Sequence, residues 1–386
     1  MGNFTKQPQR TGTRSVKWDR AKSIYGSNDV LPMWVADMDF KVPAEIENTL
    51  LARVNHGIFG YTITDKQVDE AVINWLKKRH GWDVNRKWLT YSPGVITSLH
   101  MAIQALTSVG EQILIQTPVY TPFYHAVEKL DRKLVTNSLF LENDQYRIDF
   151  DDFEQKLCEG TKAFILCNPH NPGGRVWTKS ELKKMVDLCI QYDVLVFSDE
   201  IHSDLIYSSA KHVPIASLSE DASKQTVTLM SPTKTFNLAG LQTSFIVTSD
   251  HKKKEKIQRQ FGKQGIHFLN TMAIYALEAA YKDGEAWLEE LLQVLEENRR
   301  YVIDAFKETD QIHAIPPEGT YLIWLDCRNM GKDQAELRKW MKEKAKVGLN
   351  DGVSFGVEGE GFMRMNIGCP RETVVEGVGR ILAALE

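Results

Sequence analysis

Residues 226–237 read Thr226-Val-Thr-Leu-Met-Ser-Pro-Thr-Lys-Thr-Phe-Asn237. An apolar run, 226–230, stops at Ser231, and Lys234 stands three residues further on. Two other apolar runs stop in the same way: 162–167 at Asn168 and 194–198 at Asp199. Runs at 112–116 and 244–248 belong to the same series. Between and before them lie helical patterns at 43–56, 65–80, 95–108 and 178–191. The second is expected to follow Thr64 as its N-cap, and Thr178-x-x-Glu181 forms a capping box for the fourth. Strands alternating with helices, with polar residues where each strand stops, indicate an α/β fold: a three-layer α/β/α domain with a mainly parallel sheet. Ligands of such sheets bind beyond the carboxyl ends of the strands. Asn168, Asp199 and Ser231 all stand there, so residues far apart in sequence are expected to converge.

Beyond about residue 285 the texture changes. A long amphipathic helix is predicted at 285–308, then strands at 320–326 and 362–367 with helices at 333–346 and 371–385. This reads as a smaller α+β domain. Residues 1–40 carry little periodicity and end in the Trp- and Met-rich segment Leu31-Pro-Met-Trp-Val-Ala-Asp-Met-Asp-Phe40. The expected organisation is an N-terminal arm joining the small domain (1–42), a large cofactor-binding domain (43–284) and a C-terminal small domain (285–386).

The 386 residues allow two or three domains, and 42% hydrophobic with 25% charged residues is an ordinary globular mixture. A net charge of −4 gives no basis for a nucleic-acid or anionic-membrane partner. The basic run Lys252 to Lys254 reads as a solvated helix start after Ser249 and Asp250. Five scattered cysteines without a CxxC pair argue against disulfides and against a metal site. No apolar run reaches transmembrane length, and the polar N-terminus lacks the apolar core of a signal peptide. A cytoplasmic protein is expected.

Lys234, Asp199 and Asn168 supply an amine, a carboxylate and an amide, the set a pyridoxal 5'-phosphate site requires. The amine condenses with the cofactor aldehyde, the carboxylate keeps the ring nitrogen protonated, and the amide donates to the ring phenolate oxygen. A lone lysine is ordinarily a surface residue, and a lone Asp at a strand end is often a helix cap. The three together, in order, carry the reading. Ser231 and Thr233 offer hydroxyls to a phosphate. Gly94, Val95 and Ile96 open a helix whose first N–H groups can hold the same phosphate. Tyr120 is placed to stack on the ring, although an aromatic there is usually core. Arg364, in Gly361-Phe-Met-Arg-Met-Asn-Ile367, is an arginine inside an apolar strand and needs an anionic partner. A substrate α-carboxylate suits it by bidentate pairing; a structural glutamate would also serve. His202, taken alone, reads as structural.

Taken together these stretches resemble fold-type I pyridoxal-phosphate enzymes of the aspartate aminotransferase superfamily (aminotransferase class I/II). The resemblance is strongest to the cystathionine β-lyase and C–S lyase branch of MalY/PatB type. It rests on Ser15-Val-Lys-Trp-Asp19, Leu31 to Phe40, Gly60-Tyr61, Asn168-Pro-His-Asn-Pro-Gly-Gly-Arg175, Ser198-Asp-Glu-Ile-His-Ser-Asp204 and Lys234-Thr-Phe-Asn-Leu-Ala-Gly240, and it spans nearly the whole chain. It implies that Tyr61 reaches the cofactor phosphate of a neighbouring subunit, hence a homodimer with shared sites. It also implies that Tyr120 stacks on the ring and that backbone near Ala36 helps hold the substrate carboxylate beside Arg364. Class I aminotransferases often carry tyrosine three residues after the aspartate and arginine eight after the lysine. Here those positions are His202 and Gln242, as in the lyase branch.

The implied reaction is α,β-elimination of L-cystathionine or related cysteine S-conjugates to pyruvate, ammonia and a thiol, a step of methionine and cysteine metabolism. An aminotransferase shares the early steps and is the alternative. A protein-binding regulator that keeps lyase activity is a third reading; no charge run or exposed-helix signal supports it.

Overall fold

The computed structural model describes Phe4 and residues 8–386. Seven strands build the central sheet: β1 Leu89–Ser92, β2 Gln112–Thr117, β3 Lys133–Ser138, β4 Thr161–Cys167, β5 Leu195–Asp199, β6 Thr226–Met230 and β7 Ser244–Val247. Their order is β1-β7-β6-β5-β4-β2-β3. Only β7 runs antiparallel to its neighbours.

The continuous apolar runs reflect burial on both faces of the sheet. Side chains alternate across a strand. Ile113, Ile115 and Phe197 pack with Leu99 and Ile103 of helix α2. Leu114, Phe164 and Val196 pack on the opposite face with Leu182 and Met185 of α3. Helix α1 is Lys66–His80, α2 is Val95–Leu106 and α3 is Lys179–Gln191. The capping box of Thr178 and Glu181 is present at the start of α3. Thr64 does not cap α1. Asp65 does, because its carboxylate accepts from the N–H groups of both Gln67 and Val68. Helix α2 stops at Leu106 rather than 108, where Thr107 turns extended and its hydroxyl bonds the Ile103 carbonyl. The basic run lies in the helix His251–Lys263, which Asp250 caps.

Helix α4, Glu285–Phe306, leads into a second sheet of β8 His313–Ile315, β9 Leu322–Asp326, β10 Asn350–Asp351 and β11 Phe362–Asn366. Its order is β8-β9-β11-β10, antiparallel throughout. The N-terminal segment is less irregular than its sequence suggests. It forms short helices at Val16–Asp19 and Ala21–Tyr25, and Leu31–Pro32 pairs in parallel with Val347–Gly348. Its end is held by a buried carboxylate: Asp39 accepts from Lys17 (2.6 Å), Arg10 (2.6 Å) and Trp18 Nε1 (2.9 Å). No helix among the described residues is long and apolar enough to cross a membrane.

Register positions the site. Cys167, Asp199 and Leu229 lie side by side across β4, β5 and β6. The chain just past that row, on three adjacent strands, carries Asn168 to Asn171, Glu200 to Asp204 and Ser231 to Lys234. The N-terminal segment 34–38 crosses over it, and Arg364 of β11 approaches from the second sheet.

Candidate active site

Lys234 is half-buried, in a turn after β6. Its Nζ donates to the Ala36 carbonyl at 2.6 Å. Burial, helped by the nearby Arg364 charge, lowers its amine to about 8. The turn is clasped to the N-terminal segment by Asn237, which adopts a left-handed backbone. Asn237 Oδ1 accepts from Met38 N–H at 3.0 Å, and its Nδ2 donates to the carbonyls of Met38 (2.8 Å) and Phe40 (2.9 Å).

Asp199 ends β5. Burial raises its carboxyl to about 7, against the hydrogen bond from Ile201 N–H and the Lys234 charge. A buried carboxylate with one weak local donor suits a cationic N–H partner. Until such a partner arrives, the charge is costly. A carboxyl whose folded value is raised contributes its full stability below the unfolded value and loses it as pH climbs toward about 7. Asp199→Asn removes that loss. The cofactor-free variant should be more stable than cofactor-free wild type at about pH 8, by on the order of a few kcal/mol, and the gap should close toward about pH 4. Urea unfolding at both pH values checks this; an unchanging gap contradicts it.

Arg364 is buried, and burial lowers its guanidinium to about 10. Among the described residues it has no carboxylate partner. Its hydrogen bonds go to neutral acceptors: Asn171 Oδ1 (2.9 Å), the Trp34 carbonyl (3.0 Å) and Asn350 Oδ1 (2.6 Å). Its Nε is buried without a partner. The guanidinium lies over the Phe355 ring, 4.9 Å from the centroid. A buried, uncompensated cation with an idle donor is a vacancy for an anion.

The two asparagines of Asn168-Pro-His-Asn171 separate. Asn168 is fully buried; its Oδ1 accepts from Trp177 N–H at 3.2 Å, and its Nδ2 has no partner. Asn171, three residues on, is the one that touches Arg364, and its Nδ2 makes no hydrogen bond among the described residues. Sequence reading chose Asn168 for the ring oxygen. The amide beside Arg364 is Asn171.

Ser231 donates to the Thr243 carbonyl at 2.6 Å and accepts from Thr233 N–H at 3.0 Å. Its one proton is therefore turned inward, and the expectation that both hydroxyls serve a phosphate is narrowed. Thr233 Oγ1, 2.7 Å from Ser231 Oγ, is then the donor of that contact, so its proton too is turned toward Ser231. Helix α2 starts at Gly94 without a side-chain cap, so the N–H groups of Val95 and Ile96 remain available. A Cβ at Gly94 would meet nothing within 4 Å; the space in front of the helix is open. Gln242 is exposed and adds no charge.

Tyr120 packs edge-on against Phe123, and burial raises its phenol in the field of Asp199 and Arg364. His202 is buried and neutral: burial, then the Lys234 charge, holds it well below its usual value. Its Nδ1 has no partner and its ring meets Tyr321 at 5.8 Å. Tyr321 was not anticipated. Its hydroxyl donates to the Ala36 carbonyl at 2.9 Å, the oxygen that Lys234 also uses. The Ala36 carbonyl is thus committed to donors, leaving only its N–H for a carboxylate. Tyr61 is 93% exposed, alongside exposed Ile58, Phe59, Ile63 and Phe268. No group of His, Cys, Asp and Glu among the described residues is arranged to hold a metal ion.

An open helix N-terminus for a phosphate, a buried carboxylate for a ring nitrogen, free amide donors and a desolvated amine fit pyridoxal phosphate. The model of the family Aminotransferase class I and II matches residues 26–381. The cystathionine beta-lyase PatB of Bacillus subtilis is 48% identical over 99% of this chain and 100% of its own length. A PLP-bound structure from Clostridium difficile, described only provisionally as an aminotransferase, superposes with a TM-score of 0.97 at 44% identity, covering 100% of both chains. Cystalysin from Treponema denticola, which contains pyridoxal 5'-phosphate, superposes with a TM-score of 0.96 at 34% identity, covering 99% of this chain and 98% of that one.

Proposed function

This chain belongs to the aminotransferase class I and II family, and within it we infer a pyridoxal-phosphate-dependent carbon–sulfur lyase. The reaction is α,β-elimination of L-cystathionine or a related cysteine S-conjugate to pyruvate, ammonia and a thiol. The observation that carries the reading is Arg364: a buried cation without a carboxylate partner, on the same site as a desolvated Lys234 and a buried Asp199. Its similarity to a cystathionine beta-lyase at 48% identity supports the thioether side of the assignment.

When bound, pyridoxal phosphate supplies an electron sink for the pair left on the substrate Cα. Asp199 holds the positive charge of the ring nitrogen. Asn171 would offer its free Nδ2 to the ring oxygen, and Asn168, bonded to Trp177 N–H, anchors that turn. The N–H groups of Gly94, Val95 and Ile96 would hold the phosphate, joined by the Thr233 and Ser231 hydroxyls only on turning out of their present hydrogen bonds, and Tyr120 would pack on the ring. Arg364, with the Ala36 N–H, holds the substrate carboxylate and so aims the Cα–H bond. Lys234, its amine lowered by burial, takes the Cα proton and can return it to the departing sulfur.

The assembly is a homodimer with shared sites, supported by the exposed apolar stretch around Tyr61, which its own subunit leaves uncovered. Tyr61 reaches the partner's phosphate. Mixing a Tyr61→Ala chain with a Lys234→Ala chain should regenerate some intact sites in heterodimers. Confirmed subunit exchange with no returning activity would refute shared sites. The three-part division into arm (1–42), large domain (43–284) and small domain (285–386) is kept, supported by the two separate sheets. A reducing cytoplasm is the proposed compartment, supported by five free cysteines, four of them buried.

The provisional description of the C. difficile structure favours aminotransfer as the second reading. A panel of cysteine thioethers, assayed for pyruvate, separates the two. Thioethers should release pyruvate, and amino exchange between alanine and 2-oxoglutarate should be poor. Exchange that exceeds elimination by a wide margin replaces the lyase reading with the aminotransferase.

A further inference from the structure

Behind the lysine turn lies a buried polar cluster that the reaction does not use directly. Asp204, in the loop after β5, is buried and accepts three side-chain donors. Trp75 Nε1 (3.1 Å) and His80 Nε2 (3.0 Å) come from α1 and share its Oδ1. Thr235 Oγ1 donates to Oδ2 at 2.9 Å. Thr235 is the residue after Lys234 and is fully buried. The opposing effects of burial and of His80 and Thr235 leave the Asp204 carboxyl below its usual range. It is therefore ionised, and Thr235 must be the donor.

A second carboxylate–histidine pair comes from the same loop after β5. Glu200, the residue after Asp199, is fully buried and accepts from His212 Nε2 (2.9 Å), Ser198 Oγ (2.9 Å) and Ile215 N–H (3.3 Å). The His80 and His212 rings meet edge to face at 5.3 Å. Lys234 is thus followed by Thr235, which bonds one buried carboxylate, and Asp199 by Glu200, which is itself the second. A purely structural need for a buried carboxylate is weak, since an apolar replacement is often as stable. What the charge provides at Thr235 is a fixed direction for the backbone next to the reacting amine.

We propose that Asp204 is a positioning residue for Lys234: acting through the Thr235 hydroxyl, it fixes the turn from which the amine reaches the substrate. The proposal rests on the assignment of Lys234 as the reacting amine. It concerns neither substrate carboxylate nor leaving group, so its effect falls on the proton-transfer step. Loosening the turn admits water, which favours the charged state of the Lys234 nitrogen.

The test uses the cofactor-loaded protein and two substitutions at one position. Thr235→Val keeps the shape and removes the hydroxyl; Thr235→Ser keeps the hydroxyl. The readings are the pH midpoint of the visible absorbance, kcat and KM for pyruvate release, and thermal unfolding. Thr235→Val should raise the midpoint by about half a pH unit or more and lower kcat about tenfold, with KM changed less than about twofold. Thr235→Ser should track wild type in all three. Should Thr235→Val fail to fold, Asp204→Asn is expected to give the same shift in midpoint and kcat. The proposal is overturned if both Thr235 variants match wild type, or if both fall equally in step with a loss of thermal stability. A visible band that survives Lys234→Ala instead overturns the assignment of the lysine itself, whatever Thr235 does.

Discussion

Lys234→Ala should yield a folded protein without the visible absorbance of wild type, at least about a thousandfold slower in pyruvate release. In the proposed mechanism the amine has two jobs, covalent attachment of the cofactor and movement of the Cα proton, and among the described residues no neighbouring amine can take either. Among the described residues, Lys234 is the lysine whose charge acts on both Asp199 and His202. Its replacement deletes a hydrogen bond to the Ala36 carbonyl, which Tyr321 continues to satisfy, so the fold should survive. Absorbance spectra before and after borohydride reduction, with mass spectrometry of the reduced peptide, make the comparison. A band that persists in the variant and reduces onto another lysine would show that the amine has been assigned to the wrong residue.

Arg364→Ala has the second largest expected effect. The wild-type guanidinium is already desolvated and held by Asn171, Asn350 and the Trp34 carbonyl, so it is oriented before substrate arrives. A charge-assisted pair formed in such a place is worth about 2–5 kcal/mol on truncation, or on the order of a thirtyfold to several-thousandfold loss in kcat/KM. The carboxylate is common to all α-amino acids. The loss should therefore be similar for cystathionine and for shorter cysteine thioethers. Arg364→Lys should recover only part of it, because one ammonium cannot reproduce the planar fork or its stacking on Phe355. Steady-state kinetics on three thioethers tests this. Losses that differ by orders of magnitude between thioethers would place Arg364 at the leaving-group side instead.

How far sequence could be read follows from where each residue sits on the sheet. Asp199 was legible because it closes a run buried on both faces, where a charged residue needs a reason, and Lys234 because it follows such a run within a short Ser- and Thr-bearing turn. Arg364 was legible on β11 for the same reason as Asp199. Asn168 was chosen over Asn171 because it directly ends an apolar run, whereas the amide that reaches Arg364 lies three residues further into a Pro-rich turn. The register that sets Cys167 beside Asp199 is what places Asn168 beneath the turn. Strands β1 and β3 escaped notice because they are edge strands with mixed exposure, and helix Pro122–Glu128 because it is only two turns long. Thr64 lost the N-cap to Asp65, whose carboxylate can accept from two N–H groups at once. Tyr321, Asn350 and Asn237 left no trace in any local pattern; each matters through contacts with segments more than a dozen residues away. The carboxylate–histidine pairs were hidden for the same reason, with His80 and Asp204 separated by an entire βαβ unit.

The measurement that tests the central claim most directly counts turnovers. Pure protein loaded with pyridoxal phosphate is given L-cystathionine in excess with no keto acid present. Pyruvate, ammonia and homocysteine should appear in equal amounts and continue through many turnovers per site, with the visible band intact at the end. A reaction that stops after about one turnover per site, bleaches that band and resumes only when a keto acid is added would contradict the account, because it is the behaviour of an aminotransferase.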